Sequence, residues 1–277
     1  MNWRLIDSGP CDAAYNMALD EAIAISVRNG EAAPTLRFYG WESLSVSIGS
    51  FQNIAEIDTE YCTNNNIPVV RRPTGGRGIL HGDELTYSFS ARNEGDFSGG
   101  LLESYRKLSI AFKSAMESAG LMVSLKEKRE SGRNLKRSPI CFKSTSFGEI
   151  SINSIKIIGS AQKRWNDAFL QQGSIPYSID YERTSSVFKI NTNFSKNEML
   201  GLREIVKNFN ADSFKEAIRL SFESVFNIKL VDSHLSVHEQ EIAHLLLQEK
   251  HLNPIWTQGT AKSSRFYNNS GTLKRAL

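Results

Sequence analysis

The stretch from Arg71 to His81 reads RRPTGGRGILH and lies between two strand-like segments. Residues 67–70 precede it and the alternating apolar residues of 85–89 follow it, both with the pattern of β-strands. A helical segment comes before this run of strands, and a long helix and a hairpin come after it. This order predicts an α+β fold with mixed or antiparallel sheets flanked by helices, rather than the βαβ alternation of a doubly wound sheet. The glycine pair is therefore not expected to form a Rossmann turn.

Four helices are predicted from apolar residues at helical spacing and from residues typical of helix ends. They are expected from Asp12, a candidate N-cap, to Gly30; from Leu101 to Gly120; over residues 212–226; and from Ser236, with Glu239 completing a capping-box pattern. Strand-like segments are expected at 44–48, 67–70, 85–89 and Ile150 to Ile158, the last folding back at Asn153 and Ser154. The middle of the chain is thus expected to be mostly sheet.

Length and composition indicate a globular protein of enzyme size. The chain has 277 residues, of which 40% are hydrophobic and 23% charged, and this suits one large domain with an appendage. We expect a catalytic domain over residues 1–235, with its core at 32–235 and including the helix 212–226. A C-terminal helix and a basic tail are expected over residues 236–277.

Several classes of protein are disfavoured by the sequence. No apolar h-region or membrane-length run is present, so we expect no signal peptide and no membrane partner. Three cysteines without CxxC spacing (Cys11, Cys62 and Cys141) argue against a disulfide framework and a zinc site, so no metal is expected. These features favour a cytoplasmic location.

Positive charge is concentrated in one segment. The net charge is only +3, yet Lys126 to Arg137 contains six basic and two acidic residues, so the rest of the chain is about neutral. A nucleic-acid-binding protein would usually spread positive charge over a face with interleaved aromatic residues. We therefore expect no nucleic-acid partner, and the basic segment requires another explanation.

Two features of the Arg71–His81 stretch could bind a ligand. Gly75 and Gly76 allow close approach and offer N–H groups to an oxyanion or phosphate, and the paired arginines offer cationic forks. Taken alone, a Gly-Gly pair between strands is more often a plain hairpin or bulge, and His81 more often a hydrogen-bonded structural histidine. Both interpretations stay open on the residues alone.

Lys156 stands in an otherwise apolar strand that is followed by Gly159, Ser160 and Ala161. A lysine in such a strand either reaches back to water or points into a polar cavity. Ser160 lacks the G-x-S-x-G elbow and obvious His and Asp partners, so a serine hydrolase is not predicted.

Cys141 differs from the other cysteines because it follows the basic segment. Nearby positive charge would lower the pKa of its thiol and favour the thiolate, which is the nucleophilic form. The ordinary interpretation of a lone cysteine is a small buried hydrophobe, and we keep it for Cys11 and Cys62.

Seven segments of the chain match, in the same order, the sequence motifs of one protein family. They are Tyr15–Glu21, Thr35–Trp41, Arg71–His81, Glu84–Ser88, Cys141–Phe142, Lys156–Gln162 and Gln172–Pro176. Together these segments resemble the cysteine-dependent octanoyltransferases, of the type found in bacilli, within the lipoate and biotin protein ligase superfamily. The resemblance covers nearly the whole chain. It implies a biotin/lipoate protein ligase-like (class II synthetase-like) catalytic domain.

The resemblance also implies a reaction. Cys141 would take octanoyl from the phosphopantetheine thioester of acyl carrier protein and pass it to a lysine of a lipoyl-acceptor domain. That domain would be the glycine-cleavage H protein or a 2-oxoacid dehydrogenase lipoyl domain. Lys156 would lower the pKa of the Cys141 thiol. Neither step calls for ATP, a metal or another cofactor, because octanoyl-acyl carrier protein is itself the activated co-substrate.

Substrate-binding roles follow from the same matches. Arg72, Gly75, Gly76 and His81 would line the acyl and pantetheine channel, and Gly159, Ser160 and Ala161 would lie beside the reacting carbonyl. Backbone N–H groups there are candidate oxyanion donors. The basic segment from Lys126 to Arg137 would recruit acidic carrier and acceptor domains by electrostatic steering.

The sequence departs from the family's pattern at two places. Gly78 stands where the family usually has alanine, and residues 143–147 are more polar than the pattern, which leaves acceptor preference open.

An ATP-dependent lipoate-protein ligase, using ATP and magnesium to make an acyl-adenylate, would share the glycine-rich elements but would not need Cys141. A non-catalytic carrier-binding protein would keep the fold and transfer nothing.

Overall fold

A computed structural model describes residues 1–126, 148–190 and 199–259. The strands in these residues are β1 Asn2–Cys11, β2 Thr35–Trp41, β3 Ser45–Ile48, β4 Val69–Arg71, β5 Ile79–His81, β6 Glu84–Arg92, β7 Ser124–Leu125, β8 Ile150–Ile152, β9 Ile155–Lys156, β10 Gly159–Arg164, β11 Ala168–Pro176 and β12 Lys229–Asp232. The helices are α1 Ala13–Asn29, α2 Thr59–Asn64, α3 Leu101–Ser118, α4 Tyr181–Val187, α5 Leu202–Ile205, α6 Ala211–Phe226, α7 Val237–Leu246 and α8 Pro254–Gln258.

The predicted helix ends are confirmed where local chemistry specifies them. The Asp12 carboxylate accepts hydrogen bonds from the N–H groups of Ala14 and Tyr15, and Gly30 ends α1 in the left-handed conformation at φ 79°. The capping box of Ser236 and Glu239 begins α7. These ends depend on neighbouring residues only, so sequence was sufficient to place them.

A six-stranded mixed sheet forms the centre of the protein, in the order β10-β11-β6-β2-β1-β12. Strand β1 is parallel to both β2 and β12, and the remaining neighbours are antiparallel. Two three-stranded sheets, β4-β3-β5 and β7-β8-β9, accompany it. The predicted α+β class with a mixed sheet is confirmed.

The two faces of the large sheet bury different side chains. Alternate residues of β2 and β6 pack under α3 and α6 in an aromatic core, where the rings of Phe112 and Phe222 meet edge to face at 5.2 Å. Each fully buried phenylalanine stabilises the fold by about 1.5–3 kcal/mol. The intervening residues, such as Arg37 and Tyr39, face α1 and are largely polar. The site described below lies on this second face.

The hairpin predicted at Asn153 and Ser154 is confirmed. Both residues are left-handed, with φ of 47° and 67°, which is the geometry of a two-residue turn between β8 and β9. The strands that were not predicted are β1, β2, β5, β7, β10, β11 and β12. Strand β11 is buried along its whole length yet contains Gln171, Gln172 and Ser174, so neither an apolar run nor a polar alternation marks it.

Residues 236–259 pack against the rest of the protein, and the predicted basic tail beyond them lies outside the described residues. Helix α7 lies against α1, and a π-helical turn, Leu247–His251, continues it. In that turn the Lys250 Nζ donates to both carboxylate oxygens of Glu21, at 2.8 and 2.7 Å, and all three groups including His251 are buried. Next to it, Arg71 donates to the backbone oxygens of Trp256 and Thr257.

Candidate functional site

A narrow cavity of about 20 Å³ lies between the α1 side of the large sheet and the small sheet β4-β3-β5. Five of the residues predicted to bind substrate line it together: Arg72, His81, Gly159, Ser160 and Ala161. These residues are separated by up to 89 positions in the chain. Only the packing of the small sheet, which contains β5, against β10 and β11 of the large sheet brings them to one place. Their action on a substrate stays a prediction.

His81, at the end of β5, is held on three sides. Its ring stacks on Trp41 with centroids 3.9 Å apart, Nδ1 lies 2.8 Å from the Glu84 carboxylate, and Nε2 lies 2.7 Å from the Ser47 hydroxyl. A carboxylate oxygen accepts hydrogen bonds, so the arrangement that pairs every group has Nδ1–H donating to Glu84 and Ser47 donating to Nε2. This buried array fixes the ring at the cavity wall.

Arg72 shapes the glycine loop. Its guanidinium donates to the carbonyl oxygens of Gly75 at 2.8 Å, Arg77 at 2.7 Å and Ser47 at 3.1 Å. Gly76 is left-handed at φ 84°, and a Cβ there would come within 3.3 Å of Ala161. The loop therefore closes over its own arginine at the edge of the cavity.

Arg71, the other member of the arginine pair, faces away from the cavity. It is fully buried and donates to the carbonyl oxygens of Gly49, Gln52, Trp256 and Thr257. Burial, followed by the charge of Arg72, lowers the pKa of the Arg71 guanidinium to about 10. The expectation that the arginine pair offers cationic forks to a ligand is thus wrong: the donors of Arg71 join distant backbone segments, and those of Arg72 are bonded within the protein.

Ser160 lies on β10, the edge strand of the large sheet, and its side chain points to the α3 side. Its hydroxyl is 2.8 Å from the Tyr87 hydroxyl, and burial raises the pKa of Tyr87 to about 12 despite hydrogen bonds with Ser160 and Gln171. A Cβ on Gly173 would lie 2.3 Å from the Tyr87 ring, so glycine is required there. Ser160 contributes its backbone to the cavity, in agreement with a role other than nucleophile.

A buried carboxylate that sequence reasoning missed lies beside the cavity. Asp20 accepts hydrogen bonds from Arg37 at 2.7 Å, Tyr39 at 2.8 Å, Ser88 at 2.6 Å and Gln172 at 2.7 Å. Gln172 in turn accepts from Thr74 at 2.8 Å, which ties the glycine loop to the sheet. Asp20, Arg37 and Gln172 all fall in the segments that carry the family resemblance. Their position in those segments was the only feature of the sequence that could have identified them as site residues.

Lys156 is buried at the end of β9, where its Nζ donates to the Glu149 carboxylate at 2.5 Å. Glu149 was not predicted, and in the described part of the chain Lys156 is not among the residues that line the cavity. Cys141 and the basic segment after Lys126 lie outside the described residues. The predicted action of Lys156 on the Cys141 thiol therefore stays a prediction.

The other two cysteines are poor nucleophiles. Burial raises the pKa of the Cys62 thiol to about 11, with Asp58 adding to the effect. Burial likewise raises the pKa of Cys11, although Arg37 opposes it. A raised pKa leaves little thiolate at neutral pH.

Within residues 1–126, 148–190 and 199–259, no three histidine, cysteine or carboxylate side chains are grouped so that they could hold a metal ion. None of the helices in these ranges is both long and apolar enough to span a bilayer.

Comparison with known proteins gives consistent matches. Residues 12–223 match the model of the lipoyl protein ligase A/B catalytic domain. The octanoyltransferase LipM of Bacillus subtilis (strain 168) is 35% identical over 270 residues, which are 92% of this chain and 97% of that protein. The octanoyltransferase LipM of Moorella thermoacetica is 35% identical over 249 residues, 86% of this chain and 91% of that protein.

Solved structures share the fold. A lipoate-protein ligase A bound with ATP has a TM-score of 0.81 at 24% identity, covering 94% of this chain and 99% of that chain. The bipartite lipoate protein ligase of Thermoplasma acidophilum has a TM-score of 0.79 at 23% identity, covering 94% of this chain and 97% of that chain. These likenesses establish the three-dimensional architecture.

Proposed function

Because the chain belongs to the family of the lipoyl protein ligase A/B catalytic domain, we propose that it is a protein octanoyltransferase of lipoate biosynthesis. One observation carries the proposal: 35% identity to octanoyltransferases over almost the full length of both proteins. The cavity supports it, since Arg72, His81 and the Gly159–Ala161 strand converge on one narrow space.

The proposed nucleophile is Cys141. Its thiolate attacks the carbonyl carbon of the octanoyl thioester on acyl carrier protein, the C–S bond to phosphopantetheine breaks, and the departing thiolate takes up the proton that the cysteine lost. The amine of the acceptor lysine then attacks the acyl-cysteine carbonyl, loses a proton and regenerates the thiol. Thioester exchange is nearly balanced and the amide is more stable than the thioester, so the proposal includes no cofactor.

The proposed role of Lys156 is to hold positive charge near that thiol. A buried ammonium beside a thiolate lowers the thiol pKa because it stabilises the charged form. Glu149 at 2.5 Å keeps the ammonium in place and shares its charge. Lys156 is thus a positioning residue toward Cys141, while Gly159, Ser160 and Ala161 would bind the acyl group itself.

The cavity of about 20 Å³ is large enough for about one water molecule. An octanoyl chain would have to displace neighbouring side chains or loop residues to enter. Gly75 and Gly76 in the loop beside Ala161 are suited to this, since they present little bulk to the acyl and pantetheine groups.

The proposed partners are acyl carrier protein and a lipoyl-acceptor protein, either the glycine-cleavage H protein or a 2-oxoacid dehydrogenase lipoyl domain. The segment from Lys126 to Arg137 supplies a local excess of positive charge that would steer acidic partners. A cytoplasmic location fits the proposal, since a catalytic thiol must stay reduced.

The test uses purified full-length chain with octanoyl-acyl carrier protein, an acceptor domain and no ATP. We expect mass spectrometry to find an octanoyl adduct on Cys141 and an octanoylated acceptor lysine. The variant Cys141→Ser should lose transfer, whereas the matched control Cys11→Ser should keep it, because the Cys11 thiol is not part of the cavity wall.

Each alternative gives a different result. Acceptor modification from free acid, only with ATP and unaffected by Cys141→Ser, would identify an ATP-dependent lipoate-protein ligase. Binding of acyl carrier protein without any transfer, with or without ATP, would identify a non-catalytic carrier-binding protein.

A further inference from the structure

Ser174 on β11 has a polar group with no partner. Its side chain is fully buried, lines the cavity, and its Oγ makes no hydrogen bond in the described structure. Buried hydroxyl groups are almost always paired, because an unpaired one loses its bonds to water and gains nothing in return. An unpaired hydroxyl facing a cavity therefore points to a partner that enters from outside.

The other polar side chains of the cavity wall are already satisfied within the protein. Trp41 donates to Thr86 at 2.8 Å, and the hydroxyl of Thr86 donates to Glu84. Gln172 is bonded to Asp20 and Thr74, and Ser47 to His81. These groups have fixed partners, so Ser174 alone among the described wall residues has its full hydrogen-bonding capacity available.

The register of the sheet explains why Ser174 lies at the cavity wall. Across the strands, Gly159 of β10, Ser174 of β11, Thr86 of β6 and Tyr39 of β2 lie in one row on the α1 side. Gly159 has no side chain to cover Ser174, and Thr86 on the other side is held by Glu84. Ser174 is thus paired in register with Gly159, where the reacting carbonyl is proposed to lie.

We propose that the Ser174 hydroxyl donates a hydrogen bond to the carbonyl oxygen of the bound acyl thioester. The inference rests on the proposed octanoyltransferase function and adds a substrate-binding residue to it. No covalent bond of Ser174 forms or breaks during the reaction, and its proton stays on Oγ. The carbonyl oxygen becomes negatively charged when the thiolate or the amine attacks, so the bond strengthens in both transition states.

Ser90 provides a matched control. It is also a buried serine on the α1 side of the sheet with an unpaired Oγ, but it pairs in register with Leu170 and Thr35 and does not line the cavity. Removing its hydroxyl repeats the chemical change made at Ser174 without altering the cavity wall.

The experiment compares Ser174→Ala and Ser90→Ala with the wild-type chain. For Ser174→Ala we expect kcat for octanoyl transfer to fall roughly 10- to 100-fold, with KM changed less than about threefold. Ser90→Ala should transfer at the wild-type rate. Both variants should keep or slightly raise the thermal unfolding midpoint, since each loses an unpaired buried hydroxyl.

The outcomes separate the two levels of the proposal. Equal transfer by Ser174→Ala and the wild type would overturn the role of Ser174 and leave the proposed function intact. A parallel fall in activity and unfolding midpoint would assign Ser174 a structural role and also overturn the inference. A wild-type chain that transfers no octanoyl group would overturn the proposed function, and the role of Ser174 with it.

Discussion

Gly78, where the resemblance implies alanine, lies against a buried aromatic ring. A Cβ added at Gly78 would lie 2.3 Å from Cε1 of the Phe188 ring. Phe188 is buried in the core beneath the small sheet and packs there with Val46 and Ile79. The aromatic ring therefore occupies the volume that an alanine methyl group would need.

Gly78→Ala is expected to lower the free energy of unfolding by about 1–3 kcal/mol, because the added methyl overpacks a closed core. Combining it with Phe188→Leu should restore part of the loss, and a double-mutant cycle of urea unfolding measures the coupling. Gly75→Ala is the matched control for stability, since a Cβ there meets nothing within 4 Å. Additive effects of Gly78→Ala and Phe188→Leu would contradict this explanation.

At the scale of elements, one buried carboxylate joins α1 to the C-terminal segment. Glu21 contacts Lys250 at 2.7 Å, His251 at 3.0 Å and, from β10, Lys163 at 3.6 Å. Burial disfavours both charges and lowers the pKa of Lys250 to about 8, although Glu21 opposes the shift. Burial also acts to raise the pKa of Glu21, but Lys250, Lys163 and His251 outweigh it and hold the pKa well below its ordinary value. The net effect at Glu21 is a lowered pKa, because three nitrogen-containing side chains face its carboxylate.

Glu21→Gln is expected to lower stability at neutral pH by about 3–5 kcal/mol, because it takes the carboxylate from the buried Lys250 ammonium. The pKa of Glu21 is lower in the folded than in the unfolded state, so its contribution is fully present above about pH 4.5 and is lost as the pH falls. The difference in unfolding free energy between wild type and variant should therefore shrink below pH 4.5, as measured by urea unfolding across pH.

The exposed pair of Lys113 and Glu117 on α3 is the control for that measurement. Its Nζ–Oε1 distance is 2.6 Å, but both side chains are about a third or more exposed. Glu117→Gln should change stability by less than about 1 kcal/mol. A difference between wild type and Glu21→Gln that does not depend on pH would show that packing, not charge, dominates at Glu21.

At the scale of the whole molecule, the contacts of the C-terminal segment bear on domain organisation. The sequence predicts a catalytic domain of residues 1–235 with an appended helix and tail. In the structure Arg71, next to the cavity residue Arg72, is fully buried under Trp256 and Thr257, and Trp256 donates to the Arg71 carbonyl at 2.8 Å. The appended segment thus supports the strand that leads into the glycine loop.

A chain ending at residue 235 is expected to be unable to fold cooperatively, because Glu21 and Arg71 would lose buried partners and α1 would expose the apolar face that packs on Ala243 and Leu246. Circular-dichroism melting and size-exclusion chromatography measure this. A chain ending at residue 259 is the control; it keeps these buried partners and should melt cooperatively. Cooperative melting of the 1–235 chain within a few degrees of the full chain would establish it as an independent domain.

Some features of the protein followed from the sequence because their causes are local. The ends of α1 and α7 depend on Asp12, Gly30 and Ser236 acting on their own neighbours. The hairpin at Asn153 and Ser154 depends on two adjacent residues. The matched motifs added Arg72, His81 and Gly159–Ala161 as candidate site residues, and the fold brings them to one cavity.

Other features were decided only by the tertiary structure. The roles of Arg71, Asp20 and Ser174 depend on partners, or on a missing partner, supplied by strands and helices far away in the chain. A β-strand turns successive side chains to opposite faces, so the register of β10, β11 and β6 determines which polar groups meet across the sheet. Water is excluded from these buried sites, so a polar group there that lacks a protein partner costs free energy of folding. The RRPTGGRGILH stretch by itself indicated a site. Contacts with residues far away in the chain placed Arg71 among buried backbone segments and Arg72 at the cavity wall.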